Sequence, residues 1–128
     1  MTELTIDEAR LQKEAAQGFW PGTVLTDYVD AFVAERPQSA AVVENRAESG
    51  AETVLGFAEL NAKASQIARG LHGLGVQKGD FVSFQLPNCW QFVVIHLACL
   101  KIGAISNPLM PIFRHRELSF MLSHAEAR

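Results

Sequence analysis

The sequence predicts an α/β fold, a partial and mostly parallel sheet with helices packed on it. Three observations carry that expectation. From Phe81 to Pro111 the chain lays a strand, a turn, a buried helix, a glycine stop and a second strand end to end, the order of a parallel βαβ crossover. The same order occurs once before, from about Thr53 into the Phe81 strand, as a second such unit. Finally, 48% of the 128 residues are hydrophobic, which suits one compact unit with a core.

Residues 1 to 24 read as an N-terminal arm. Thr5-Ile6-Asp7-Glu8 offers a capping box for a short polar helix with a thin apolar face. Phe19 and Trp20, inside the punctuated segment Gly18 to Gly22, are the expected anchors of that arm to the body. Thr26 is the expected N-cap of a helix running to about Arg36. Asp27 suits the positive end of its dipole, Val29, Phe32 and Val33 recur at helical spacing, and Pro37 ends it. Ala40 to Glu44 and Thr53 to Phe57 are short apolar runs around a polar loop, Asn45 to Glu52, and read as a hairpin.

Gly56 then caps a helix over Phe57 to Leu74, with Glu59 in the capping-box position and Leu60, Ala64, Ile67, Ala68, Leu71 and Leu74 on one face. Gly70 and Gly73 interrupt it at about 1 kcal/mol each relative to alanine, for which a close backbone approach to the sheet is the expected compensation. Gly75 ends the helix, and Lys78-Gly79-Asp80 turns into the next strand. There Val82, Phe84 and Leu86 alternate with Ser83 and Gln85 until Pro87-Asn88 breaks the run.

From Cys89 to Ile102 apolar residues surround the helix axis, so that helix should be enclosed by protein. At roughly 14 residues and about 1.5 Å per residue it is too short to cross a membrane. Gly103 supplies the positive φ that ends it, and Ala104 to Asn107 re-enters the sheet before Pro108. Arg114 to His124 is a last amphipathic helix with Leu118, Met121 and Leu122 inward. An alternating pattern calls for a strand next; the chain stops at Arg128, which reads as truncation.

A formal charge of −3 leaves no basic field to recruit nucleic acid. Cys89 and Cys99 would sit about 15 Å apart on one helix, beyond disulfide reach, and read as free thiols of a reducing compartment. Glu3, Asp7 and Glu8 stand where a signal peptide needs positive charge, so a cytoplasmic location is expected.

The chemistry-bearing residues read as structural. Gly70 to Gly75 has the spacing G-x-x-G-x-G and closes a helix, where a dinucleotide fingerprint opens one, and Lys78-Gly79 is too short to cradle phosphate. His72, His96, His115 and His124 lack metal-ligand spacing; His96 reads as a hydrogen-bonded core histidine. No serine lies in a G-x-S-x-G elbow, and neither cysteine has an activating base. Arg114, His115 and Arg116 form a small positive cluster at a helix start, by default a solvated patch, with an anion site as the alternative.

Three segments resemble the adenylate-forming superfamily, which includes acyl-CoA synthetases. Leu55-Gly56-Phe57-Ala58-Glu59-Leu60 is similar to its first core motif, usually L-T-Y-x-E-L. Leu100 to Pro111, read LKIGAISNPLMP, is similar to the second, and Leu74 to Val82, LGVQKGDFV, to the signature linking them. Gly56 departs from the family in standing where threonine is usual. The wording at Gln85 to Asn88, Ala98 to Lys101 and Pro111 to Leu118 is most similar to medium-chain fatty acid and cyclohexanecarboxylate CoA ligases.

The resemblance implies that residues 25–128 are an incomplete N-terminal α/β subdomain of an enzyme several times this length. That parent would use ATP and Mg²⁺ to turn a carboxylic acid into an acyl-adenylate and pass the acyl group to CoA. The family's phosphate loop, acyl pocket and mobile lysine would lie downstream, so no catalytic, cofactor-binding or metal residue is assigned here, and the chain alone is expected to be inactive. Its expected partner is the remainder of the parent, with self-association through an unpaired sheet edge. The alternatives are an interaction module of the same fold and an adenylating enzyme that loads a carrier protein.

Overall fold

The computed structural model describes residues 7–46 and 49–127. Nine elements follow in order: α1 (Glu8–Ala16), α2 (Leu25–Glu35), β1 (Ala40–Arg46), β2 (Ala51–Gly56), α3 (Phe57–Gly73), β3 (Phe81–Phe84), α4 (Trp90–Lys101), β4 (Ile105–Pro108) and α5 (His115–His124). The expected α/β class holds, and the elements fall where the periodicities put them.

The β3–α4–β4 crossover is present, with β3 and β4 parallel in the register Phe81↔Ile105 to Phe84↔Pro108. The second expected crossover does not close. β2 pairs antiparallel with β1 and β3 pairs with β4, so the strands on either side of α3 belong to two separate two-stranded sheets. The hairpin bends at an irregularity between Ala40 and Val42, then keeps register to Arg46↔Ala51. Its strands run further than the apolar runs, into the polar segment taken for loop, because backbone pairing does not require apolar side chains.

The core sits where α3 and α4 pack. Leu55, Leu60, Ala64, Val94 and Leu97 form one buried cluster, with Val29, Val42 and Trp90 against it. Val76, Val82, Cys99 and Ala104 form a second beside the parallel strands. Each fully buried Leu or Val contributes about 1.5–3 kcal/mol. α2 joins through a ring contact, Phe32 to Phe57 at 5.0 Å, with the Arg36 guanidinium 4.3 Å over Phe32.

Several expectations are corrected. Phe19 and Trp20 do not anchor the arm; they stay 67% and 48% exposed, and α1 buries none of its residues. The α1 cap is Asp7, which accepts from Arg10 N–H at 3.1 Å; Thr5 and Ile6 lie outside the described residues. Thr26 is not the α2 cap. The cap lies two residues earlier, at Val24, because Asp27 at the third helical position reaches back to the Val24 N–H at 2.9 Å and spares the cap residue a polar side chain.

Glu59 does not cap α3 but pairs with Lys63 one turn on, at 3.3 Å. The first N–H groups of α3 go instead to carbonyls of the preceding loop, Phe57 to Ser39 at 3.2 Å and Ala58 to Pro37 at 2.9 Å. That loop lies so close that a Cβ on Gly56 would sit 3.0 Å from the Pro37 oxygen. Glycine at this position is thus matched to a backbone cap in place of a threonine hydroxyl.

α4 is enclosed along one side, where Val94, Leu97, Ala98 and Cys99 are buried; the rest of its surface is half-buried. Gly70 and Gly73 make no close approach, since an added Cβ would meet nothing within 4 Å at either. Ile67 and Leu74, expected inward, are 41% and 84% exposed. The apolar stripe of α3 is therefore wider than the core that the described residues supply.

Candidate functional site

In open α/β sheets ligands bind in the crevice outside the carboxyl ends of the strands. In this chain several long-range side-chain hydrogen bonds gather at that end of β3 and β4. Asn107 Nδ2 donates to Ser83 Oγ across the two strands at 2.9 Å. His96 Nδ1, on α4, shares a hydrogen bond of 2.7 Å with Ser106 Oγ. Just beyond β3, the Gln85 amide donates to the Met110 carbonyl at 2.7 Å and the Phe113 carbonyl at 3.0 Å. Gln85 thereby folds the loop after β4 back over the strand ends.

The His96–Ser106 contact has the reach of a base–nucleophile pair, but a working pair also needs a group that orients the imidazole. No carboxylate bonds to His96 among the described residues, and both side chains are half-buried between helix and strand. His96 is thus hydrogen-bonded as expected, but it stands half-buried at the edge of the core and not within it.

Helix N-termini are the usual alternative for a phosphate. Here each is engaged by the chain's own acceptors: α1 by Asp7, α2 by Asp27, α3 by the Pro37 and Ser39 carbonyls, α5 by Glu117, which accepts from Arg114 N–H at 3.1 Å. The α4 terminus is closed from a distance in sequence: Glu44 on β1 accepts from Trp90 N–H at 2.9 Å and from Arg46 Nε at 2.8 Å. These bonds hold the Glu44 carboxyl below its ordinary value, Arg46 first and Trp90 second, with burial opposing. Four of the five termini thus present a carboxylate, which repels phosphate.

The positive cluster is likewise occupied with local structure. Arg114 donates to the Pro111 and Phe113 carbonyls at 2.8 and 3.2 Å, and His115 Nδ1 hydrogen-bonds Ser119 Oγ at 2.8 Å. His124 stacks on Phe120 at 5.6 Å. Among the described residues no three His, Cys, Asp or Glu gather as a metal set, and no helix is long and apolar enough to cross a membrane. Cys89 and Cys99 are both free.

Sequence reasoning missed Glu44, which no local signal marks, since its partner lies 46 residues away. It also missed an apolar groove of about 630 Å³ between α3 and α4, walled by Ile67, Leu71, Leu74, Leu86, Trp90 and Ile95. The signal for the groove was available, in an α3 stripe broader than one helix contact needs. Gln91, on its wall, carries a buried Oε1 with no hydrogen-bond partner among the described residues.

Comparison with known proteins gives a consistent picture. The family model described as AMP-binding enzyme matches residues 29–128. The chain is 38% identical over 125 residues, 98% of its length, to a medium-chain fatty-acid–CoA ligase of Escherichia coli, of which it covers 21%. It is 39% identical over 103 residues, 80% of its length, to a salicyl-AMP ligase / salicyl-S-ArCP synthetase of Mycobacterium tuberculosis, covering 18% of that protein. The N-terminal subdomain of Klebsiella oxytoca NpsA superposes with a TM-score of 0.70 at 25% identity, over 81% of this chain and 26% of that one. The chain spans about a fifth of the length of the curated relatives it matches.

Proposed function

Because the chain belongs to the AMP-binding enzyme family, we propose that residues 25–128 serve as scaffold, the N-terminal α/β subdomain of an AMP-forming acid–CoA ligase, with residues 1–24 as an N-terminal arm. The parent activates a fatty or alicyclic carboxylic acid with ATP to an acyl-adenylate and transfers the acyl group to CoA. The observation that carries this reading is a coincidence of spans. The family match, residues 29–128, runs from within α2 through α5 and takes in the Gly56 motif and the whole β3–α4–β4 crossover.

ATP with Mg²⁺ and CoA are the groups such a parent uses, and the described residues do not fit ATP–Mg²⁺. Four helix N-termini already hold carboxylates, and no metal-holding cluster is present among the described residues. No catalytic step is therefore derived through them, and no catalytic residue is assigned. The Ser83–Asn107 and His96–Ser106 bonds fix the strands and the helix between them, which is a scaffold's work.

Free thiols at Cys89 and Cys99 support a cytoplasmic setting. The exposed α3 stripe and the α3–α4 groove support the remainder of the parent as the partner that covers them, and the two-stranded β3–β4 sheet supports self-association through an unpaired edge in its absence. A second reading, transfer to a carrier protein, is favoured by the name of the Mycobacterium relative. The test incubates the chain with ATP, Mg²⁺, CoA and a panel of carboxylic acids. No pyrophosphate above the blank is expected; release that depends on the acid would overturn the scaffold reading. In parallel, the chain replaces the matching first fifth of the Escherichia coli ligase, and acid-dependent pyrophosphate release by a folded chimera is expected. A folded but inactive chimera would count against the scaffold role.

A further inference from the structure

A hollow of about 460 Å³ lies among α2, α3 and the end of α4, away from the groove and the strand ends, lined by Thr26, Asp30, Ser65, Arg69, His72 and Lys101. Ser65, Arg69 and His72 stand at i, i+4 and i+7 on α3, so a hydroxyl, a guanidinium and an imidazole are stacked along one wall. Thr26 and Asp30 are one turn apart on α2 opposite. Lys101 closes the end, its side chain 19% exposed and its Nζ 3.9 Å from Asp30 Oδ1, the outer limit of an ion pair. Among the described residues, the side chains of Thr26, Ser65, Arg69 and His72 have no hydrogen-bond or ion-pair partner.

We propose that this hollow is a binding site for a small oxyanion of the phosphate-monoester class. Two permanent cations face one carboxylate, a local positive surplus in a chain whose formal charge is −3. The Arg69 fork suits two phosphate oxygens, and Lys101 acts as a point charge beside it. The hydroxyls of Thr26 and Ser65 are further donors. Asp30 is an acceptor, which suits a ligand that carries a hydroxyl next to its anionic group. His72 and Lys101 also occupy last turns of their helices, where carbonyl dipoles favour cations. That accounts for those two side chains and leaves Arg69, a turn earlier and unpaired, without a use. This site is independent of the scaffold reading, since it needs nothing outside the described residues.

The probe is inorganic phosphate, titrated into the whole chain at constant ionic strength and followed by NMR of backbone amides and the Arg69 and His72 side chains, with chloride at matched strength as reference. Saturable shifts confined to the residues that line the hollow are expected, with a midpoint on the order of 1 mM. Arg69→Ala, at an exposed position, should keep the fold and weaken binding about tenfold, and Arg69→Lys should recover part of the loss. Lys101→Ala should weaken it comparably. Shifts that do not saturate, that chloride reproduces, or that persist unchanged in Arg69→Ala would overturn the proposal.

Discussion

Glu44 and Trp90 meet across 46 residues of sequence: the carboxylate on β1 accepts the backbone N–H of the first residue of α4 at 2.9 Å, while its other oxygen takes Arg46 at 2.8 Å. One side chain thus caps a helix and fastens the hairpin to the crossover. Glu44 is held below its ordinary value of 4.5, chiefly by Arg46, so the unfolded chain binds that proton more tightly. Its contribution is full above about pH 4.5 and is lost as pH falls through the lower folded value. Glu44→Gln should lower the urea midpoint at pH 7 and flatten the acid limb of stability. Midpoints collected from pH 7 to pH 3 check this, and an unchanged acid limb would refute the linkage.

The two cysteines should separate by reactivity. Cys99 is 0% exposed, and burial pushes its thiol up. Cys89, the α4 N-cap residue, is only half-buried. Since the thiolate is the nucleophile, maleimide at pH 7 should label Cys89 alone, with Cys99 following only as the core opens, on the order of a hundredfold slower. Mass spectrometry of the native chain and of Cys89→Ser reads the result; rapid labelling of the Cys89→Ser variant would contradict the packing around Cys99.

Gly103 ends α4 at φ +69°, and its carbonyl accepts the Gly79 N–H at 2.9 Å, tying the turn before β3 to the turn before β4. A Cβ there would lie 2.9 Å from Lys78 Cγ. The lysine chain can swing aside, so the left-handed backbone sets most of the cost. Gly103→Ala should lower stability by about 1–2 kcal/mol, and adding Lys78→Ala should restore little. Full recovery in the double variant would show that crowding, not φ, is the reason for glycine.

What the sequence made legible was local. The β3–α4–β4 crossover could be read because Val82 and Phe84 alternate, Gly103 stops the helix and Pro108 stops the strand, all within one short span. The start of α2 shifted because a carboxylate at the third position, Asp27, did the capping expected of the Thr26 hydroxyl. The contacts that no window shows were lost: the loop carbonyls under Gly56, the Glu44 bond to Trp90, and the division of the strands into two sheets. Residue type also misled at Phe19 and Trp20, where bulk and apolarity do not supply a surface to pack on. For the oxyanion hollow the i, i+4, i+7 pattern of Ser65, Arg69 and His72 was visible, but its partners on α2 and α4 are set by tertiary packing.

Gly70 and Gly73 decide whether the α3 glycines serve the described fold. Each lowers helix propensity by about 1 kcal/mol relative to alanine, and neither has an atom within 4 Å of the position a Cβ would take. Within residues 7–46 and 49–127, then, nothing offsets the loss, and Gly70 lies on the wall of the α3–α4 groove. Gly70→Ala should raise stability by about 0.5–1 kcal/mol, and Gly73→Ala, at the last residue of α3, by less. Chemical denaturation of the two single variants and the double reads this directly. A loss of stability at Gly70 would mean that another segment or a second copy comes against α3 in solution. A gain at both would show that the described fold makes no use of either glycine.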